Sequence, residues 1–143
     1  MSVYPRVVPR YTSRVFVGSV SVPAGGEQVI LDVKGAGELH GFTLKYSDLP
    51  GPVYGWFRLY IDGQLVEHSL AGIVALFFHG GTVDAGRPAS PFTVTVHDAA
   101  YSVYGFSMTA PVRFTSSLRL TVVNLSNQTI SVDYAAAVSL ERQ

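Results

Sequence analysis

The chain contains no cysteine among its 143 residues, so disulfide bonds and thiolate metal sites are excluded. Charge is also scarce. Only 14% of the residues are charged, well below the roughly 25% of an average soluble domain. Two explanations fit this shortage: part of the surface is buried against other chains, or the fold is a compact β domain rich in Thr, Ser and Gly.

The chain lacks an excess of either charge, since ten basic residues balance ten acidic ones. Binding the phosphates of nucleic acid needs a basic patch, so we expect no direct contact with nucleic acid. Long apolar runs are missing too. The longest, residues 73–78, is far too short to cross a bilayer, and the first thirty residues lack the apolar segment of a secretory signal. We therefore expect no membrane span and synthesis in a host cytoplasm.

Residues 1–13, MSVYPRVVPRYTS, stand apart from the rest in composition. Pro5 and Pro9 interrupt any helix, and no acidic residue appears before Glu27. The segment has too little apolar surface to fold alone, so it is either a disordered tail or an extended basic arm laid on a neighbour. The second interpretation assigns contacts to Tyr4, Arg6, Arg10 and Tyr11.

From residue 14 to residue 143 the sequence is a series of short alternating segments, separated by turns that contain most of the fourteen glycines and eight prolines. The segments are RVFVGSVSV, QVILDV, ELHGFTLKYS, GWFRLYI, QLVEHSL, FTVTVHD, SVYGFSMT, PVRFT, SLRLTVVNL and TISVDYAAAVSLERQ. This pattern predicts a single all-β domain, an antiparallel sandwich or barrel. Eight strands in two packed sheets would form a jelly roll.

Two stretches do not fit this alternation. AGIVALFFHGG, residues 71–81, is either a buried strand or a short helix that ends at Gly80, and we favour the helix. TVDAGRPASP, residues 82–91, predicts a loop.

GWFRLYIDGQLVEHSL, residues 55–70, predicts a β-hairpin. Asp62 and Gly63 suit the positive φ angles of a two-residue turn. Alternation before the turn separates two faces of the strand. The core face is expected to carry Phe57, Leu59 and Ile61, and the outer face Trp56, Arg58 and Tyr60.

Tyr54, Trp56, Arg58 and Tyr60 form the strongest candidate site, which we call the aromatic–cationic stripe. Trp, Tyr and Arg are enriched at the energetic centres of protein interfaces, and the two aromatic types also stack on sugar rings. The stripe is therefore a subunit contact, a sugar site, or a surface covered within the chain by the arm or by a reversed pleat.

Other groups give no catalytic or metal signature. The histidines His40, His68, His79 and His97 lie far apart in sequence, whereas zinc needs three or four converging ligands. The acids Asp48, Asp62, Asp84 and Asp98 all fall at predicted turns, where their side chains cap the backbone. No nucleophile motif is present. We expect no metal, no cofactor and no enzymatic activity.

One run resembles a known family pattern. The residues that carry it are Gly35, Gly37, Leu39, Gly41 and Phe42, followed by Leu59, Tyr60, Ile61, Asp62 and Gly63. They resemble a glycine-rich turn and a following hairpin found in single jelly-roll domains of viral and phage structural proteins. A similar arrangement occurs in some carbohydrate-associated jelly rolls, so the pattern indicates fold more than role.

The viral resemblance implies a virion protein of the capsid, decoration or spike type. Such a protein would self-assemble into a symmetric homo-oligomer, a trimer or a larger array, beside other virion proteins. The low charge, the missing cysteine and the arm fit this implication. The alternative is a carbohydrate-binding module that holds a glycan with Trp56 and Tyr60.

Overall fold

A computed structural model describes residues 11–75, 78–79, 82–83, 88–89, 91–109 and 111–141. These residues form two antiparallel sheets packed face to face, with one short α-helix and one 3₁₀ turn. The prediction of an all-β sandwich is confirmed.

The elements follow one another in short steps. They are β1 (Tyr11–Val22), β2 (Glu27–Lys34), β3 (Gly37–Ser47), the 3₁₀ turn (Pro52–Tyr54), β4 (Gly55–Ile61), β5 (Gln64–Ser69), α1 (Leu70–Ala75), β6 (Phe78–His79), β7 (Thr82–Val83), β8 (Pro88–Ala89), β9 (Phe92–Asp98), β10 (Val103–Met108), β11 (Val112–Phe114), β12 (Ser117–Asn124) and β13 (Ile130–Glu141).

The strand order is that of a jelly roll. The large sheet has the order β1-β13-β3-β10-β9-β8, with β11 also paired to β3, and the small sheet has the order β2-β12-β4-β5. The successive strands β1, β2, β3 and β4 alternate between the sheets, and β12 and β13 lie in opposite sheets, so the connections between these strands cross the sandwich. β6 and β7 form a separate two-stranded ribbon.

Aromatic rings join the two sheets. Phe57 of the small sheet stacks on Phe106 of the large sheet, with ring centroids 5.2 Å apart, and meets Phe42 edge-on at 5.4 Å. Phe92 closes the cluster, 5.9 Å from Phe106. Edge-on and offset ring pairs add to the free energy gained by burial, so this cluster anchors the sandwich.

The predicted hairpin is present. Asp62 has φ 52° and Gly63 has φ 83°, which are the positive angles that a two-residue turn requires. Phe57 and Leu59 are buried and Ile61 packs partly buried against the core, as the alternation predicts.

The glycines of the family-like pattern have backbone reasons. Gly35 follows β2 with φ 112°, a conformation that side chains disfavour. A Cβ at Gly41 would lie 2.6 Å from the carbonyl oxygen of Met108. The backbone conformation therefore explains Gly35, and close strand packing explains Gly41.

Residues 70–75 form a short helix, as the sequence favours, but the expected end at Gly80 is wrong, because α1 ends at Ala75 and Phe78–His79 form β6. None of the helices within the described ranges has the length and apolar character that a bilayer crossing needs. The predicted loop over residues 82–91 is wrong in part, because β7 and β8 lie within it. Pro88 and Ala89 pair with Thr93 and Phe92 at the sheet's end, where a proline is tolerated.

Truncation of the central ring tests the core. We expect Phe57→Ala to lower the free energy of unfolding by about 3–5 kcal/mol, because it removes buried ring contacts and leaves a cavity. Denaturant unfolding followed by fluorescence measures this change. The control Leu65→Ala, at a position 52% exposed in β5, should stay within about 0.5 kcal/mol of the parent. Equal losses in both variants would contradict the assignment of Phe57 to the core.

Candidate functional site

Three members of the aromatic–cationic stripe lie together. Trp56, Arg58 and Tyr60 occupy the outer face of β4, each half-buried. Tyr54 is separate: it belongs to the 3₁₀ turn at the end of the sandwich, where it lines a depression with Leu125. The strand alternation therefore holds for the three residues of β4 alone.

Arg58 is neutralised within its own sheet. Its Nη1 donates to Glu27 Oε1 of β2 at 2.6 Å, and its Nε donates to Glu67 of β5. Thr121 of β12 adds a 2.7 Å hydrogen bond to the other oxygen of Glu27. The hydrogen bond to Glu67 and the two carboxylate charges raise the pKa of Arg58, although partial desolvation opposes them. Arg58 thus links strands across the small sheet.

The two aromatic side chains beside Arg58 also contact neighbouring residues of the same chain. The indole Nε1 of Trp56 donates to the Val53 carbonyl at 3.0 Å. The guanidinium of Arg119 lies 5.9 Å from the centre of the Tyr60 ring, within the range of a cation–π contact. The three stripe residues of β4 are therefore held in place by their own sheet and by the 3₁₀ turn before it. A partner would meet a preorganised surface, which lowers the entropy lost on binding.

The carboxylate of Asp62 fastens the hairpin to the chain before β12. It accepts hydrogen bonds from the backbone N–H groups of Thr115, Ser116 and Ser117 at 2.7–3.1 Å. The hydroxyls of Thr115 and Ser116 donate to it as well, each at 3.0 Å. The backbone hydrogen bonds, that from Ser116 above all, hold the pKa of Asp62 well below its ordinary value.

Part of the outer face of the large sheet is made of small and apolar side chains. Registers across β1, β13, β3 and β10 bring these residues together, and we call them the small-residue face. They are Val15, Val17, Gly41, Thr43, Ser107, Ala135 and Ala137. Val15 and Val17 are 71% and 74% exposed. A 3.4 Å ion pair between Lys45 and Asp133 borders the face.

Sequence reasoning missed this face, although a signal was present. In the runs RVFVGSV and YAAAVSL, apolar or small residues occur at both odd and even positions of the strand. A strand that faces core on one side and water on the other alternates apolar with polar residues. Apolar residues at both odd and even positions indicate that both faces of the strand are shielded from water.

A second apolar patch lies at the end of the sandwich. Val53, Tyr54 and Leu125 are exposed there. The Leu125 N–H donates to the Tyr54 carbonyl at 2.8 Å, which fixes the two loops to each other.

The expected arm contacts fall mainly outside the described residues. Tyr4, Arg6 and Arg10 are not among them. Tyr11 begins β1, where its backbone lies opposite Glu141 of β13. Residues 12–13 also belong to β1, so the described part of the predicted arm is a strand of the large sheet.

The side chain of His79 lies outside the described residues, and the other three histidines lie apart. His40 shares a 2.6 Å hydrogen bond with Ser139, His68 lies against the rings of Phe57 and Phe92, and His97 meets Tyr104 edge-on. Within the described ranges no three His, Asp or Glu side chains gather as metal ligands.

Two of the turn acids, Asp62 and Asp98, accept hydrogen bonds from the backbone. Asp98 accepts from the Tyr101 N–H at 3.2 Å, and Asp48 sits at a turn with φ 64°. Asp84 lies outside the described residues. Asn124, of the sequence NLS, is fully buried, and its amide donates to the carbonyls of Val22, Pro23 and Gln128. Its role is to hold the turn.

No family model and no curated protein sequence matches the chain. Solved structures do resemble it. VP2 of infectious bursal disease virus, in a subviral particle, is 12% identical with a TM-score of 0.43, over 99% of this chain and 37% of VP2. The chain thus spans little more than a third of VP2.

Two further structures match over nearly their whole length. The cyanophage Pam1 capsid chain is 17% identical with a TM-score of 0.42, over 98% of this chain and 93% of that one. FLHE is 13% identical with a TM-score of 0.40, over 94% and 100%. Viral capsid proteins are thus among the structures that the chain resembles, and at these identities the resemblance is one of fold.

The Asp62 carboxylate makes stability depend on pH. Its pKa is lower in the folded than in the unfolded chain, so its contribution is complete above about pH 4 and is lost as the pH falls further toward the lowered value. We expect Asp62→Asn to be less stable than the parent at neutral pH, with the difference shrinking in acid. Urea unfolding across pH measures this gap. Asp32→Asn, whose Lys34 pair is exposed at 3.8 Å, is the control. A gap that stays constant with pH would contradict this role of the charge.

Removal of the Arg58 charge tests the network on the small sheet. Arg58→Met leaves Glu27 and Glu67 without their cation, and we expect a loss of about 1 kcal/mol at low salt and less at high salt. The double variant Arg58→Met, Glu67→Gln should recover part of the loss. Lys45→Met, which breaks a more exposed pair, should cost less. Urea unfolding at both salt concentrations checks these values, and an unchanged Arg58→Met stability would count against the network.

Proposed function

We propose that the chain is a structural protein of a virus particle, a capsid, decoration or spike component, and that it self-assembles into a symmetric oligomer. The virion setting rests on the glycine-turn and hairpin pattern of residues 35–63, which resembles that of viral jelly rolls. The assembly rests on the surfaces of the large and small sheets.

The small-residue face is the observation that carries the proposal. In an antiparallel sheet with one face in water, polar side chains normally line that face. Here Val15 and Val17 lie outward beside Ala135 and Ala137. Hydroxyls at Thr43 and Ser107 bond to each other at 2.8 Å instead of pointing to a ligand. A second copy that covers this face would remove the exposed valines from water without having to desolvate charge at its centre.

Charge favours contact between the arm and the domain. Residues 11–143 hold ten acidic and eight basic side chains. Residues 1–10 add two arginines and no acid. Opposite net charges steer the arm toward the domain of its own or another copy.

The aromatic–cationic stripe is proposed as a second subunit contact. Its half-buried rings are fixed by Val53 and Arg119, and its charge is balanced by Glu27 and Glu67. A surface of this kind suits protein contact, where desolvation of a matched ion pair costs less than that of an isolated charge. Glycan binding that Trp56→Ala abolishes in a monomeric protein would favour the carbohydrate-binding alternative.

The native mass in solution tests the proposal. We expect the full chain to form an oligomer of defined size, measured by light scattering and sedimentation. Ala135→Glu places a charge on the small-residue face and should weaken association by more than about tenfold, because an unpaired charge would be desolvated. Ala24→Glu, on the exposed turn between β1 and β2, is the matched control and should assemble normally.

The arm is tested by removing residues 1–10, which leaves β1 complete. We expect the shortened chain to stay folded, since its described domain is intact, but to dissociate at concentrations where the full chain is assembled. A full chain that is monomeric at every concentration would overturn the proposed function. An oligomer that survives both Ala135→Glu and the truncation would overturn the assigned surfaces.

A further inference from the structure

We propose that the small-residue face packs against the same face of a second copy across a two-fold axis that runs parallel to the strands, midway between β13 and β3. This inference rests on the proposed assembly, and it names the orientation of the second copy and the two charged residues that select it.

Cross-strand neighbours divide the small-residue face and its borders into rows that run across the sheet. The two central rows are Val17–Ala135–Thr43–Ser107 and Val15–Ala137–Gly41. The borders are polar, with Ser19, Asp133 and Lys45 on one side and Ser13, Ser139 and His40 on the other. Within each border the side chains contact one another through hydrogen bonds or an ion pair. An apolar centre inside a polar rim is the usual anatomy of a subunit contact.

The central rows form a ridge on the β1 side and a trough on the β3 and β10 side. Val15 and Val17 of β1 are mostly exposed, so their side chains stand out from the sheet. A depression of about 340 Å³ has Gly41 and Ser107 in its lining, where side chains are short or missing. The Ser107 hydroxyl lies 2.8 Å from that of Thr43, so an apolar side chain placed over it leaves this hydrogen bond intact. A face with a ridge beside a trough is complementary to itself.

A two-fold axis parallel to the strands places the ridge of each copy in the trough of the other. Rotation about this axis exchanges β13 with β3 and β1 with β10, because these strands lie at equal distances on its two sides. Val17 then faces the partner's Ser107, and the contact occurs twice, as two-fold symmetry requires. An axis across the strands would instead set valines against valines and leave the two troughs facing each other as a void.

The charged border gives an independent reason for the same axis. Lys45 lies on β3 and Asp133 on β13, their charged atoms are 3.4 Å apart, and each side chain is about half exposed. Exchange of β3 with β13 sets Lys45 over the partner's Asp133, and Asp133 over the partner's Lys45. Each cation then lies between two anions. Because like charges that face each other are strongly disfavoured, this alternation selects one orientation of the second copy.

The area of the face is sufficient for a specific contact. Four strands about 4.8 Å apart and four rows about 7 Å apart cover roughly 500 Å² on each copy, or about 1,000 Å² in all. Specific interfaces begin near about 1,000 Å² of buried surface. A contact of this size has little area to spare, so the charges at its border carry weight in deciding its orientation.

Exchange of the two border charges tests the arrangement. The double variant Lys45→Glu, Asp133→Lys keeps an ion pair within each chain and, under the proposed axis, opposite charges between two copies of the variant. Against the parent it would set lysine over lysine and acid over acid. We expect the variant to assemble with itself, but to form mixed oligomers with isotope-labelled parent at least about tenfold below their statistical share. Native mass spectrometry, after the two proteins are mixed dilute and then concentrated, measures this share.

The single variants and a matched control sharpen the test. Lys45→Glu makes both border positions acidic and Asp133→Lys makes both basic, so each variant should self-associate about tenfold or more weakly than the parent. An equal mixture of the two should regain the parent's association. The control reverses the exposed 3.8 Å pair of Lys34 and Asp32 on β2. The control variant Lys34→Glu, Asp32→Lys should mix freely with the parent.

The outcomes distinguish this inference from the proposed function. Free mixing of the charge-exchanged variant with the parent would overturn the facing borders, and preferred mixing would overturn the axis, because it requires like positions to face each other. A charge-exchanged variant that unfolds in urea like the parent but stays monomeric would also overturn the arrangement. In each case an oligomer of the parent that Ala135→Glu dissociates would leave the proposed function standing. A full chain that is monomeric at every concentration would overturn both.

Discussion

The packing of Phe57 against Phe42 and Phe106 is the contact on which the rest of the structure depends. It joins the small sheet to the large one, and so decides which alternate residues of each strand face the core. Once Phe57 is inside, the strand pleat places Trp56 and Arg58 outside. The surfaces from which assembly is inferred are consequences of this internal packing.

The outer faces of the two sheets differ in their charge and in their exposed apolar side chains. On the small sheet, Arg58 forms ion pairs with Glu27 and Glu67, so its charge does not need a partner from another chain. On the large sheet, Val15 and Val17 are exposed without polar cover. The second arrangement gains the more from a partner, because burial of apolar area is favourable and the Lys45–Asp133 ion pair lies only at the border of this face. The proposed contacts therefore centre on the large sheet.

Much of the fold could be predicted because its signals are local. The Asp62-Gly63 turn and the alternation around it specified a hairpin, and the structure has it with the predicted core residues. The short helix at residues 70–75 also followed from local pattern. The two-residue strand β8 could not be predicted in this way. It exists only through its pairing with β9, and the local sequence around Pro88 and Ala89 has no strand pattern.

The sequence by itself determined the class of fold, the hairpin and which residues of β4 point to the core, since each depends on neighbours within a few residues. Only the tertiary structure decided that Arg58 lies between Glu27 and Glu67, and that Asp62 caps the chain at residues 115–117. These partners are 9 to 55 residues apart in the chain. The strand register that brings them together is set by packing between sheets, which periodicity along one strand does not contain.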